Sequence, residues 1–343
     1  MGFSVEKVIL KLGINPDISD DYNLNLLLDM ILTLTINPAL DLYTRVEKVY
    51  PGEKLRCEKA KLDPGGGGVN VSRVIHRLGG ETTAIYSRGG YTGEIFKDLL
   101  EQEGVKQDTV EIAEAIRQNI AVTETSSGEL YRFGFPGPSL SETEFQDVLT
   151  RLNLYKMADF WVASGSLPPG VPDDFYAQVA EKAAENNVKL VLDTSGKAFS
   201  KILEKGAYLL KPNKNELEDL VGIKADDEQK QKELLLQVLE KYPVEVIVLS
   251  LGSQGALLAT KGKVRHFPAP EVVHVSSIGA GDSMVAGMVY SLSRGDELEK
   301  AILYGLACGS ATIKSPGTEL LKKEDVEPLF QKLLNKVQMN DLL

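Results

Sequence analysis

The sequence is poor in the residues that build several whole classes of protein. Only two cysteines, Cys57 and Cys308, occur in 343 residues. They lie far apart and in no metal-ligand spacing, which argues against a disulfide framework or a zinc ribbon and fits free thiols in a reducing, cytoplasmic setting. The three histidines, His76, His266 and His274, are scattered and offer no ligand cluster. No apolar run approaches the length of a membrane span. Positive charge is also scarce. Lys and Arg number 38 against 49 Asp and Glu, for a formal net charge of −11, the opposite of a nucleic-acid footprint. An acidic chain that binds an anionic ligand must therefore do so at a local site. There is no internal repeat and no low-complexity tract.

Length suits one large α/β domain with an insertion, or two domains. Residues 1–29 carry Asp17, Asp20, Asp21 and Asp29 around a short leucine run, without a basic start or a small-residue cleavage site. They read as an N-terminal extension rather than a signal peptide, and the globular pattern begins at Met30.

The chain is organised around Ser276-Ser277-Ile278-Gly279-Ala280-Gly281-Asp282-Ser283, where small residues give way to an apolar run of helical spacing. A tight loop should open into a buried helix starting at Gly281 or Asp282. Glycines at 279 and 281 let backbone N–H groups converge, and the first helical turn adds its own unpaired N–H groups and the positive end of its dipole. A carboxylate beside such an anion site is electrostatically awkward unless it takes a proton from a group about to attack a bound phosphate. Phosphoryl transfer with Asp282 as base is the functional reading. An Asp helix cap behind a glycine turn is the plain structural one.

From Met30 the pattern is a β-branched strand at 31–36, broken by Asn37-Pro38-Ala39. Charged strand-like runs at 42–50 and 54–62, with a hairpin at 116–125 and 129–135, are poorly suited to burial on both faces and read as a small sheet standing off the body. Gly65-Gly66-Gly67-Gly68-Val69-Asn70 is a second glycine-rich loop running into a helix. A strand at 82–86 and a helix at 93–103 follow it. Strands at 160–163, 190–193, 208–211 and 246–250 alternate with helices at 174–185, 197–203, 215–221 and 229–242, the signature of a parallel sheet covered on both faces. Runs at 255–259 and 263–267 form an edge hairpin, and helices at 282–293, 297–310 and 325–337 close the chain.

Ligands bind beyond the carboxyl ends of the strands in such sheets, and there Asp41, Ser164-Gly165-Ser166, Asp193, Lys211-Pro212-Asn213 and Ser250-Leu251-Gly252 collect. Glu216 falls in the first turn of a helix; with Asn213 it suits the hydration shell of Mg²⁺, which keeps several waters and takes few protein oxygens.

The two glycine runs, in this order and separation, resemble the two signatures of the ribokinase-like (PfkB) carbohydrate kinases, over essentially everything from Met30 to the last helix. Within the family the chain is most similar to the minor type of 6-phosphofructokinase. The stretches that carry this are Thr35-Ile36-Asn37-Pro38-Ala39-Leu40-Asp41, Tyr50-Pro51-Gly52-Glu53-Lys54-Leu55-Arg56-Cys57, Arg117-Gln118-Asn119, Ser164-Gly165-Ser166-Leu167-Pro168-Pro169-Gly170 and Lys211-Pro212-Asn213. Ile278 departs from the family's usual Thr or Val.

The resemblance implies a mostly parallel central sheet flanked by helices, with a small β-sheet lid and ATP and Mg²⁺ as cofactors. It implies Asp282 as base, with the N–H groups of Gly279, Ala280 and Gly281 stabilising the transferring charge. Asp41, Asn70, Gly66 and Gly67 would bind sugar hydroxyls, and Lys54, Arg117 and Ser166 the phosphate already on the sugar. Lys211, Asn213, Glu216, Ser250, Gly252 and Gly255 would face MgATP, with Glu216 and Asn213 holding the metal through water. A homodimer paired through the lid is implied too, its inward residues being Leu42, Val46, Leu55, Ile120, Val122 and Phe133.

Relatives acting on fructose 1-phosphate or tagatose 6-phosphate usually carry Lys where this chain has Gly67. Its absence favours fructose 6-phosphate, with those two sugars as the alternative. A sugar-phosphate-binding regulator is the competing class, though it would not need Asp282. A dinucleotide oxidoreductase is disfavoured, because the first glycine run lacks the G-x-G-x-x-G spacing.

Overall fold

The computed structural model describes residues 31–341, and the extension expected at 1–29 lies outside them. In chain order the strands are β1 (Ile31–Thr35), β2 (Ala39–Val46), β3 (Lys61–Gly65), β4 (Thr83–Arg88), β5 (Lys106–Glu111), β6 (Arg117–Glu124) and β7 (Leu130–Phe133). Then come β8 (Phe160–Ser164), β9 (Lys189–Asp193), β10 (Ala207–Leu210), β11 (Val244–Ser250), β12 (Ala256–Thr260) and β13 (Lys263–Phe267). The helices begin with α1 (Gly67–Leu78), α2 (Gly90–Gln102), α3 (Glu142–Leu152), α4 (Phe175–Glu185) and α5 (Lys197–Leu203). They continue with α6 (Lys214–Val221), α7 (Glu228–Lys241), α8 (Ala280–Ser293), α9 (Leu298–Ile313) and α10 (Lys323–Asp341).

Nine strands form one sheet in the order β13-β12-β11-β10-β9-β8-β1-β4-β5, parallel except for the antiparallel edge hairpin β12–β13. Helices cover both faces, as alternating strands and helices require. Val71, Val74, Met284, Val285, Ile302 and Phe330, from α1, α8, α9 and α10, pack on one face. Phe96, Val148, Phe175, Ile202, Leu217 and Leu234, from α2 to α7, pack on the other.

β1 shows why an alternating Ile-Leu-Thr-Leu-Thr run can be buried throughout. Leu32 and Leu34 enter the core under α2 to α7, while the threonines face α1 and find partners there. Thr33 Oγ1 pairs with Ser72 Oγ at 2.8 Å, and Thr35 Oγ1 accepts from the Val69 N–H at 2.9 Å. Each such buried bond contributes about 1 kcal/mol net, and an orphaned partner would cost more. The strand order reverses between β1 and β8, so their carboxyl ends open a crevice. The first glycine run fills it. Gly66 has φ 118°, and a Cβ on Gly67 would lie 2.0 Å from Ser164 Oγ at the end of β8.

The second sheet, β3-β2-β6-β7, is the small sheet expected from the charged runs. Its β2–β6 pair is parallel, with Asp41 opposite Asn119. The expected strand at 54–62 is corrected to Lys61–Gly65, since 54–60 carry no strand and are almost wholly exposed. Polar runs without a partner strand have no buried face to hold them extended. The second strand of the run at 42–50 likewise ends at Val46. β5 and α3 have no counterpart in the sequence reading. The Lys106–Glu111 edge strand is mostly polar, and α3 is recognisable chiefly by its capping box, in which Ser141 and Glu144 exchange bonds.

Candidate active site

Both glycine runs end in helices whose first turns meet. α8 starts one residue earlier than expected, with Gly279 as a left-handed N-cap at φ 73°, so Gly281 and Asp282 lie in its first turn. N–H groups in a first helical turn lack intrahelical partners and carry the positive end of the dipole. The loop before α8 is braced by Ser276, whose hydroxyl donates to the Gly317 carbonyl at 2.7 Å and accepts from the Ile278 N–H at 3.3 Å.

Asp282 stands where the two helix starts meet. Its carboxyl is walled in by protein, while the residue keeps some exposure at the helix start. Burial, reinforced by the Asp193 carboxylate, pushes its pKa up to about 6, against the pull of Asn70 and Lys211. Asn70, in the first turn of α1, donates through Nδ2 to Asp282 Oδ2 at 2.9 Å. A half-exposed Asp cap would not be perturbed this way, and a value near neutrality suits a proton acceptor.

Two cavities lie on either side of the loop that leads into Asp282. The smaller, of about 350 Å³, lies under the lid and is lined by Asp41, Arg117, Asn119, Arg132, Ile278 and Thr318 among others. The larger, of about 590 Å³, is lined by Ser250, Gly252, Gly255, His274, Ser277, Ala280, Gly281 and the apolar Val272, Met284, Leu306 and Ile313. Ile278 belongs to one and Ala280 with Gly281 to the other, so the loop that carries Asp282 is their shared wall.

On the lid side, Asp41 Oδ1 accepts from Asn119 Nδ2 at 2.9 Å, and burial raises its pKa. Arg117 donates to the carbonyls of Asn37 and Phe135, at 3.1 and 3.2 Å, tying the end of β1 to the exit of β7. Its Nε is buried without a partner, and desolvation lowers its pKa. Ser166 is exposed and accepts from Asn37 Nδ2 at 3.2 Å. Lys54 stands exposed on the loop before β3 and lines neither cavity.

On the other side Lys211, 6% exposed, pairs with Asp193 Oδ1 at 3.1 Å. Burial works against its charge, but Asp193, Glu216 and Asp282 outweigh it and hold the pKa above the ordinary lysine value. A Cβ on Gly281 would lie 3.6 Å from Lys211 Nζ, so the ammonium borders the first turn of α8. Asn213 and Glu216 form the capping box of α6: Glu216 Oε2 accepts from the Asn213 N–H at 2.8 Å, and Asn213 Oδ1 from the Glu216 N–H at 3.0 Å. Both therefore have a structural duty that a metal-only reading omits. Burial, with Asp193 adding to it, raises the Glu216 pKa, a strain that a nearby cation would relieve. Among the described residues no group of three or more His, Cys, Asp or Glu could hold a metal ion.

Sequence reasoning missed Arg132 and the partnering of Asn119 and Asp193. Arg132 in a charged lid strand reads as solvating. Only the pairing of β6 with β7, with Arg132 opposite Ala121, turns it toward the cavity that Asp41 lines.

A ¹³C NMR titration of the Asp282 carboxyl should show a midpoint near 6, ionised above and protonated below. Replacing Asn70 by Ala removes a bond to the ionised form and should move the midpoint higher. A midpoint near the ordinary value of about 4 would mean that water solvates the group freely.

A family model described as pfkB family carbohydrate kinase matches residues 33–324. The ATP-dependent 6-phosphofructokinase isozyme 2 of Mycobacterium tuberculosis is 43% identical over 302 residues, covering 88% of this chain and 89% of that one. A 1-phosphofructokinase from Borreliella burgdorferi is 36% identical, covering 91% and 99%. The structure of phosphofructokinase-2 from Escherichia coli in complex with substrates and products superposes with a TM-score of 0.85 at 37% identity, covering 89% and 99%. With this ribokinase-like fold and these relatives, the chain belongs to the pfkB family of carbohydrate kinases, as a phosphotransferase of the phosphofructokinase type that uses ATP and acts on an alcohol group.

Proposed function

We propose that the protein transfers the γ-phosphoryl group of MgATP to fructose 6-phosphate. The observation that carries this is the placing of Asp282, its pKa pushed to about 6, directly after a loop whose Ile278 lines a lid-side cavity edged with Asp41, Arg117 and Arg132 and whose Ala280 and Gly281 line a larger, largely apolar one. The larger cavity takes the nucleotide, its apolar walls suiting a flat base and Ser250, Gly252 and Gly255 its polar parts. The smaller takes the sugar phosphate, with Asp41 and Asn70 on hydroxyls and Arg117 and Arg132 on the phosphate. Guanidinium matches phosphate geometry and keeps its charge. Ser166 and Lys54 serve that phosphate as well, Lys54 reaching it only by movement of its loop.

In the reaction Asp282 takes the proton of the acceptor hydroxyl as its oxygen forms a bond to the γ-phosphorus. The bond from that phosphorus to the β–γ bridging oxygen breaks, and ADP leaves. The N–H groups of Gly279, Ala280 and Gly281, with Lys211 beside them, offset the charge on the transferring group. Magnesium, held through water by Glu216 and Asn213, supplies further charge neutralisation when bound.

Gly67 supports fructose 6-phosphate over fructose 1-phosphate and tagatose 6-phosphate. A Cβ there would strike Ser164, so the position is closed to the lysine usual in kinases of those sugars. An exposed free thiol at Cys57 supports a cytoplasmic setting. Among the described residues no helix is long and apolar enough to cross a membrane.

Coupled ADP release with MgATP should give its highest kcat/KM on fructose 6-phosphate when compared with fructose 1-phosphate, tagatose 6-phosphate and fructose. Asp282→Asn should lower kcat by about 10²–10⁴-fold while ATP still binds. Turnover with none of the sugars would leave a sugar-phosphate binder, and a near-normal kcat in the variant would remove Asp282 from the mechanism.

Arg117→Ala should raise KM for the sugar phosphate far more than for ATP, because only one substrate loses a contact. An equal rise in both would point to a disturbed lid.

The lid also carries an interface proposal. Phe133 and Phe135 are 52% and 48% exposed, and Leu42, Ile120 and Val122 are only partly buried. Of the residues expected to face inward, Val46 is covered by the chain itself, and Leu55 lies on the loop before β3 rather than on a strand. A two-fold contact through the lids would cover the rest. Light scattering should give about twice the 37.5 kDa chain mass; a fully active monomer would refute the contact.

A further inference from the structure

Arg73, on α1, is 1% exposed and has no part in the site as described so far. Its guanidinium is nonetheless one residue removed from the reacting carboxyl. Nε and Nη2 grip the Glu103 carboxylate, at 3.1, 3.0 and 2.5 Å. Nη1 donates to the Pro64 carbonyl at 2.7 Å and to Asn70 Oδ1 at 3.3 Å. Nη2 also lies 3.6 Å from Asp63 Oδ1, whose partner oxygen accepts from Thr318 Oγ1 at 2.7 Å. Glu103 is partly buried, yet Arg73 and Arg77 keep its pKa below the usual carboxylate range, so the pair is ionised.

The chemistry of the amide makes this arrangement consequential. One end of an asparagine side chain accepts and the other donates, and the two ends are interchangeable in shape. Guanidinium can only donate, and an ionised carboxylate can only accept. Arg73 on Oδ1 and Asp282 on Nδ2 therefore permit a single orientation of Asn70. With the amide reversed, its oxygen would face both the carboxylate and nothing that attracts it, while its N–H groups faced a cation.

We propose that Arg73 is a positioning residue for phosphoryl transfer: it locks the Asn70 amide with its N–H toward Asp282, and ties that orientation to lid strand β3 through Pro64 and Asp63. The proposal rests on the reading of Asp282 as base. Its hydrogen-bonded path to Asp282 runs through Asn70. The other groups facing the carboxyl are Asp193 at the end of β9, Lys211 after β10 and Asp41 on β2; Arg73 bonds to none of them, and its charge reaches only Asp41, across space. Removing Arg73 should thus free the amide, weaken the one hydrogen bond that favours the ionised base, and move the base's titration upward.

The test is the pH dependence of kcat and kcat/KM in the full-length protein, with MgATP and the best sugar phosphate. The unaltered protein comes first: an acid limb near pH 6 is required, and its absence would refute Asp282 as base independently of Arg73. Arg73→Lys keeps a cation for Glu103 but lacks the fork that serves Pro64 and Asn70 together. We expect its acid limb to rise by about one pH unit, a tenfold change in the protonation equilibrium. At pH values below both limbs kcat should fall about tenfold and recover as pH rises, with KM for each substrate within about twofold. Arg73→Met/Glu103→Met removes the two paired charges together, leaving Asp63 its Lys61 partner and the partly exposed Arg77 to solvent, and should show the same displaced limb. Lower melting temperature with an unmoved limb, in whichever of the two variants folds, would overturn the proposal and leave Arg73 a structural residue.

Discussion

Everything in the site depends on keeping one carboxylate out of water without neutralising it completely. Asp282 is held by a single amide donor, within the field of the Asp193–Lys211 pair. Full solvation would return it to an ordinary aspartate, protonated only in acid, and a weak base. A direct ion pair with Lys211 would hold it lower still. Lys211 is instead engaged by Asp193, which both restrains the lysine and adds its own repulsion. The result is a carboxyl tuned close to neutrality, by burial first and by a neighbouring charge second.

Such enclosure requires that two helix starts approach each other and the sheet more closely than side chains allow. Gly67 lies against Ser164, and a Cβ on Gly68 would lie 2.5 Å from the Leu34 carbonyl oxygen. The glycines of the first run are therefore used for close approach as much as for turning. At the second run Gly279 is the one that needs left-handed backbone, because the loop must reverse before α8 can begin. α1 and α8 then present Asn70 and Asp282 to each other at 2.9 Å across 212 residues of sequence.

The lid is held on different terms. Its contacts with the body include Arg117, which bonds carbonyls at the end of β1 and after β7, Asp63, which meets Thr318 and Arg73, Pro64, whose carbonyl accepts from Arg73, and Lys61, which donates to Glu319. These are polar, with the Tyr43 ring against Gly317 beside them, whereas the main sheet is closed by two continuous apolar layers. Elements joined by few apolar contacts are the ones that open at low free energy, which suits a cover that must admit a sugar and then exclude water.

The period and punctuation of the sequence were enough to reveal the parallel sheet, both glycine-to-helix junctions and Asp282, because alternation, helical spacing and glycine are local properties. The helix at Lys197–Leu203 and the edge strand at Lys263–Phe267 have the limits expected from the sequence alone. Polar elements were less legible: β5 buries little, and residues 54–60 have charge like a strand's exposed face but no partner. Asn213 and Glu216 were recognisable as ligand-type residues, yet only the folded chain shows that they also cap α6. Arg132 and Arg73 became functional candidates through tertiary structure alone, and Asp193 and Asn119, already placed by strand end and motif, acquired their partners Lys211 and Asp41 there. The nature of each residue was plain from the start, but its charge acquires a role only when strand pairing and helix packing decide what stands within 3 or 4 Å of it.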